Sequence, residues 1–154
     1  MNGQPTVFDD TRFDLQAFLP YRIRVFYTDV TSTLSEIYVR DHRLTPSEWR
    51  SMAILGAAGR MPAAEIVERS SMDKVSVSRA VKKMYERGLL EKTDNAEDGR
   101  SSLLSLSEKG RAIYFDLVPK MLAAEARMFD GLSDAEISAF VATMAKVRQN
   151  LQKP

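Results

Sequence analysis

The chain of 154 residues contains no cysteine, which excludes disulfides, thiol redox chemistry and cysteine-based metal sites. Histidine is almost as scarce: a single one, His42, makes a zinc centre an unfavourable reading. No apolar run approaches the ~20 residues that cross a bilayer. The N-terminal stretch MNGQPTVFDDTRF lacks the pattern of a signal peptide. A cytoplasmic protein without membrane contact is therefore expected. An excess of one charge is also missing, since 22 Lys+Arg face 21 Asp+Glu for a net charge of +1. Any affinity for nucleic acid must then rest on local patterning and not on bulk charge. Phosphate-loop, dinucleotide, nucleophile-elbow and metalloprotease motifs are all absent. No enzyme activity, cofactor or metal is expected.

What is present suits one ordinary globular domain with a real core, at 44% hydrophobic and 28% charged residues. From Pro20 onward, Ile23, Phe26, Val30, Leu34 and Ile37 recur at helical spacing. TPSEW then places Thr45 at an N-cap, Pro46 at the first helical position and Glu48 three residues after the cap, a capping box ahead of Trp49 and Met52. GAAGRMP breaks that helix, and Pro62 opens a short one over Ala63 to Arg69. Asp73 caps the next, which runs to Gly88. Ser107 starts a further helix with a kink expected near Pro119, and SDAE (Ser133 to Glu136) forms a second capping box before a final amphipathic helix.

Between Leu89 and Leu106 the period changes from about 3.6 to 2. LLEKT and SLLSL bracket a polar tip and predict a two-stranded antiparallel ribbon. The acids of that tip invite a calcium-loop reading, which fails on spacing. Counted from Asp94, the third position is Ala96 and the twelfth is Ser105, where the bidentate glutamate should stand.

The segment Asp73 to Gly88, DKVSVSRAVKKMYERG, has the most pronounced chemistry. Val77, Ala80, Val81 and Met84 fall on one face, and Val75, Ser76, Ser78, Arg79, Lys82 and Lys83 on the other. Five basic residues (Lys74, Arg79, Lys82, Lys83, Arg87) oppose two acids (Asp73, Glu86), a local +3. Small hydroxyls near the helix start permit close approach, and the cations beyond can reach base edges or phosphates. A solvated amphipathic helix would show the same face, so the pattern alone does not establish DNA binding. The order of elements is more specific: a short helix, a turn, a basic helix and a β-ribbon compose a winged helix-turn-helix.

The runs LTPSEWRSMAIL, AAEIVERSSMDKVSVSRAVKKMYERGLLEK and EDGRSSLLSLSEKGR resemble the MarR family of bacterial transcription regulators. The resemblance implies a mainly α fold with a small antiparallel β-wing, divided into an N-terminal helical dimerisation segment (1–43), a winged helix-turn-helix domain (44–106) and C-terminal dimerisation helices (107–154). It also implies a homodimer that binds a near-palindromic double-stranded DNA operator, commonly as a repressor, and is released by a small ligand. Lys74, Val75, Ser76, Ser78, Arg79, Lys82 and Lys83 correspond to the recognition helix. Asp98, Arg100 and Ser101 belong to the wing, where the family's arginine enters the minor groove and its aspartate holds it. Glu97 departs from the pattern by standing where another arginine is usual, which implies fewer wing contacts.

The family's effector region maps onto Arg22, Phe26, Tyr38, Arg40, His42 and Trp49. An arginine among aromatic rings suits an aromatic acid, with an acyl thioester as a further class. Without cysteine, the family's thiol-oxidation signalling cannot operate. The alternative from another class is a winged-helix module that binds protein and no specific DNA.

Overall fold

The structure is a computed structural model that describes residues 13–153. Residues 1–12 and Pro154, which belong to the expected terminal segments, lie outside the described residues. The chain divides into two compact units between Leu117 and Val118. Among the described residues there are six helices: α1 (Leu19–His42), α2 (Pro46–Ala58), α3 (Ala63–Ser70), α4 (Lys74–Glu86), α5 (Glu108–Met128) and α6 (Asp134–Leu151). Three short strands, β1 (Met61–Pro62), β2 (Leu90–Asp94) and β3 (Ser102–Leu106), complete the fold. No helix among the described residues is long and apolar enough to cross a membrane.

The starts and stops follow local chemistry. Thr45 and Glu48 form the expected capping box: the Thr45 hydroxyl accepts from the Glu48 amide (3.2 Å), and the Glu48 carboxylate accepts from the Thr45 amide (2.7 Å). Helix α1 begins at Leu19, one residue before the expected Pro20, which is harmless because an N–H in the first turn has no helical acceptor. It ends at Arg43, which takes the left-handed conformation at φ 52°. Helix α5 continues through Pro119 to Met128, although the missing N–H removes the bond to the carbonyl four residues back.

The first unit gathers its core from α2, α3, α4 and the sheet. Met52 and Leu55, Ile66, Val77, Ala80, Val81 and Met84, then Leu89, Leu90, Leu104 and Leu106 are all buried. The four residues assigned to the inner face of α4 are thus all inside. The expected two-stranded ribbon is a three-stranded antiparallel sheet in the order β1-β3-β2. Strand β1 is only Met61 and Pro62, paired with Leu104 and Leu103. Two residues carry no period, and a proline argues against a strand unless it lies on an edge, where this one does.

Where α4 gives way to β2, three successive carbonyls meet the start of α5. The Lys109 ammonium donates to the Arg87 carbonyl (3.0 Å), the Ser107 hydroxyl to that of Gly88 (2.6 Å), and the Ser107 amide to that of Leu89 (3.0 Å). Ser107 Oγ also accepts from the Gly110 amide (3.0 Å), which caps α5 as expected. A Cβ at Gly110 would collide with the Leu89 carbonyl, so glycine is what lets these two backbones approach.

Arg87 faces inward at the same place. Its guanidinium donates to the carbonyls of His42 (2.7 Å) and Arg43 (3.3 Å) and lies 3.9 Å from the buried Glu48 carboxylate. Arg87, one of the five basic residues counted in the segment's local +3, therefore adds nothing to the outward face of α4. His42 is half-buried, with Nε2 2.7 Å from Asp116 Oδ2.

In the second unit α6 has its own capping box. Ser133 Oγ accepts from the Glu136 amide (3.3 Å), and the Glu136 carboxylate accepts from the Ser133 amide (2.8 Å). These bonds, from backbone first and hydroxyl second, hold the Glu136 carboxyl below its ordinary pKa. The apolar residues Val141, Met144, Val147 and Leu151 of α6 are exposed, as are Ile23, Val25 and Tyr27 of α1.

Arg87→Ala removes two hydrogen bonds from a charged donor and the cation nearest a buried carboxylate. The expected loss is about 2 kcal/mol, read as a fall in melting temperature of roughly 4–8 °C. An unchanged melt would count against this role.

Candidate nucleic-acid interface

The turn between α3 and α4 consists of Ser71, Met72 and Asp73. Ser71 adopts φ 55°, and the Ser70 hydroxyl accepts from the Met72 amide (3.2 Å), which turns the chain sharply after α3. Asp73 then caps α4. Its carboxylate takes the Ser76 hydroxyl (2.6 Å) on one oxygen and the Ser76 amide (2.9 Å) on the other. The Ser76 side chain and then its backbone amide together hold the Asp73 carboxyl below its ordinary value of 3.8.

With Val77, Ala80, Val81 and Met84 packed inside, α4 exposes Lys74, Val75, Ser78, Arg79, Lys82 and Lys83. Ser76 differs from the other expected contact residues, being half-buried with its hydroxyl donated to Asp73. Lys82 lies 3.9 Å from Glu86 across one helical turn, a loose exposed pair that leaves its ammonium accessible. The outward face thus combines four cations with one hydroxyl that is not part of a cap.

The wing is β2 and β3 in register from Leu90 opposite Leu106 to Asp94 opposite Ser102. Its tip is organised by side chains bonding to nearby backbone, the turn chemistry of Asn and Asp. Asn95 donates to the Ser101 hydroxyl (2.8 Å) and accepts from the Glu97 amide (3.1 Å). The Asp98 carboxylate accepts from the Arg100 amide (3.1 Å), and the Asp98 carbonyl from the Ser101 amide (3.0 Å). Asp98 therefore holds Arg100 by its backbone and leaves the guanidinium exposed. Between Leu90 and Ser102 the wing carries four carboxylates (Glu91, Asp94, Glu97, Asp98) against two cations (Lys92, Arg100). Among the described residues, no group of three or more His, Cys, Asp or Glu is placed to hold a metal ion.

Two residues outside the sequence expectations also meet here. The Lys92 ammonium lies 4.5 Å from the centre of the Tyr85 ring, joining β2 to the outer flank of α4. The only sequence signal is the strand period, which puts Lys92 on the same sheet face as Leu90.

The six residues assigned to an effector region fall into four places. Arg22 and Phe26 line an open groove of about 400 Å³ along α1 with Gln16, Tyr21, Val25 and Asp29. Tyr38 is buried and stacks on Trp49, with centroids 6.1 Å apart and planes 18° apart. Burial raises the Tyr38 phenol above its ordinary value of 10.0, against the nearby charge of Arg50. Arg40 is exposed and bonded to Asp41 (2.8 Å), while His42 pairs with Asp116. Five of the six lie on α1 and Trp49 on α2, and Tyr38 faces the core whereas Arg22 does not.

Comparison with known proteins agrees with this architecture. Residues 44–102 match the MarR family. The transcriptional regulator MhqR of Bacillus subtilis is 23% identical over 116 residues, covering 75% of this chain and 80% of its own. A MarR-family transcriptional regulator from Silicibacter pomeroyi superposes with a TM-score of 0.73 at 28% identity, over 92% of this chain and 94% of its own. Bordetella bronchiseptica BpsR, whose DNA binding is regulated by 6-hydroxynicotinic acid, shares the fold with a TM-score of 0.79 at 22% identity, over 89% and 97%.

The lowered Asp73 pKa ties the α4 cap to pH. A depressed carboxyl stabilises the fold above the unfolded value near 3.8, and the contribution disappears as pH falls through the lower folded value. Melting of wild type and Asp73→Ala should differ most above that range and converge below it. A difference independent of pH would contradict the assignment.

Proposed function

From the premise that residues 44–102 of this chain are a MarR-family domain, the module of a transcription regulator, we propose that the protein is a homodimeric, ligand-responsive regulator that binds a near-palindromic operator. The observation that carries this reading is the outward face of α4, cationic and hydroxyl-bearing above a buried inner face, beside a projecting wing. Arg79 reads base edges in the major groove, and Lys74, Lys82 and Lys83 neutralise phosphates on either side. Arg100, held at the tip of the wing, enters a flanking minor groove. There a narrow A/T-rich groove concentrates negative potential around a single guanidinium.

The exposed apolar residues of α1 and α6 support dimerisation through segments 1–43 and 107–154. A dimer sets its two recognition helices about one helical turn apart on the duplex, roughly 34 Å. Repression follows where the operator overlaps a promoter, in the cytoplasm. The α1 groove beside Arg22 and Phe26 suits an aromatic acid, by a charge-assisted hydrogen bond and ring contact. The regulation of BpsR by 6-hydroxynicotinic acid supports this class of effector over an acyl thioester. A specific observation favours one other reading: the wing's excess of carboxylates would suit a winged-helix module that binds protein.

Fluorescence anisotropy with the DNA upstream of the protein's own gene separates the two. The regulator binds saturably, and affinity falls steeply with salt; no preference over random duplex would favour the protein-binding module. Arg79→Ala should lose about 1–3 kcal/mol of discrimination at defined base pairs, whereas Arg100→Ala should weaken binding mainly through A/T-rich flanks. Light scattering at micromolar concentration should give twice the mass of the chain, and a monomer would refute the role given to α1 and α6.

A further inference from the structure

We propose that Lys92, seated on the ring of Tyr85, contacts a backbone phosphate of DNA in the notch between α4 and the wing. The inference rests on the DNA-binding reading above and adds a contact to it. In β2, Leu90 and Lys92 share one face of the sheet, opposite Leu106 and Leu104, which are both buried. That face is the inner side of the wing, directed at α4. At Lys92 the core beneath it ends, and the ammonium reaches the Tyr85 ring at 4.5 Å. On α4, Lys74, Ser78 and Tyr85 recur at i, i+4 and i+11, so Tyr85 stands on the flank that also carries two of the outward contact residues. The two side chains therefore occupy the inside corner where recognition helix and wing meet.

Duplex geometry supplies the partner. Adjacent major and minor grooves are separated by one sugar-phosphate strand. A protein with a helix in one groove and a wing in the next must straddle that strand, and its phosphates pass through the corner between the two elements. Lys92 has no hydrogen bond or ion pair among the described residues, so its donors are available there. The ring face holds the ammonium in place without taking those donors. Tyr85 is thus a positioning residue and Lys92 the contact. Since the wing's cations are Lys92 and Arg100 alone, Lys92 carries half of its positive charge.

A phosphate contact needs no operator for its test. Binding of the full-length protein to a fluorescein-labelled duplex of mixed sequence, followed by anisotropy over a salt series, reads it directly. Lys92→Gln removes the contact from both protomers of the dimer, and should lower the slope of log affinity against log salt by about 0.9 per protomer, about 1.8 in all, and weaken binding roughly fivefold per contact at low salt. Lys92→Arg should keep the slope, and Tyr85→Phe, which retains the ring, should match wild type. The melting temperature of Lys92→Gln should stay at the wild-type value, which separates a lost contact from a lost fold. A wild-type slope for Lys92→Gln, in a protein that does bind duplex, overturns this contact and leaves the DNA-binding reading standing. If the wild-type protein binds no duplex at any salt, the DNA-binding reading falls and this contact with it.

Discussion

The Arg87 guanidinium, bonded to the last carbonyls of α1 and set against the buried Glu48 carboxylate, joins three helix ends at one point. Its own backbone carbonyl accepts from Lys109, and the next two carbonyls are taken by Ser107. A chain leaving a helix normally presents carbonyls that need outside donors. Here the start of α5 supplies a donor to each of the three residues that connect α4 to β2. Helix α4 and the wing are therefore held by the same few residues. Gly110 is part of that device, because any side chain there would push the start of α5 away from Leu89.

This arrangement separates the cations by role. Arg87 serves the fold, whereas Lys74, Arg79, Lys82 and Lys83 remain on the outer face of α4. The wing contributes shape more than charge, since its carboxylates outnumber its cations and its tip is braced by Asn95 and Asp98. A net charge of +1 over the whole chain thus hides a cationic helix beside an acidic wing. That is a distribution and not a total, which is why bulk composition says so little about this surface.

The same junction ties α4 to α1. His42 gives its carbonyl to Arg87 and its ring to Asp116, so the last turn of α1 is anchored on both α4 and the first part of α5. A displacement of that turn has to carry these charged contacts with it or break them. The groove at Arg22 and Phe26 lies on the same helix, roughly four to six turns away.

Much of the fold was legible because it rests on neighbours in sequence. The caps at Thr45, Asp73 and Ser133 each reach a partner three residues on, and the inner face of α4 follows from its period. Strand β1 was not legible, since two residues ending in a proline become a strand only when β3 lies alongside. Nor was the direction of Arg87, whose acceptors stand 44 and 45 residues away, or the meeting of Lys92 with Tyr85. Of the residues onto which the family's effector region maps, packing sends Tyr38 inward and leaves Arg40 outside. Sequence alone determined which segments are helix, wing and cap, because those choices are made within one turn of the chain. Only the tertiary structure decided which cations face outward and which corners close, because a long side chain takes the nearest acceptor in space.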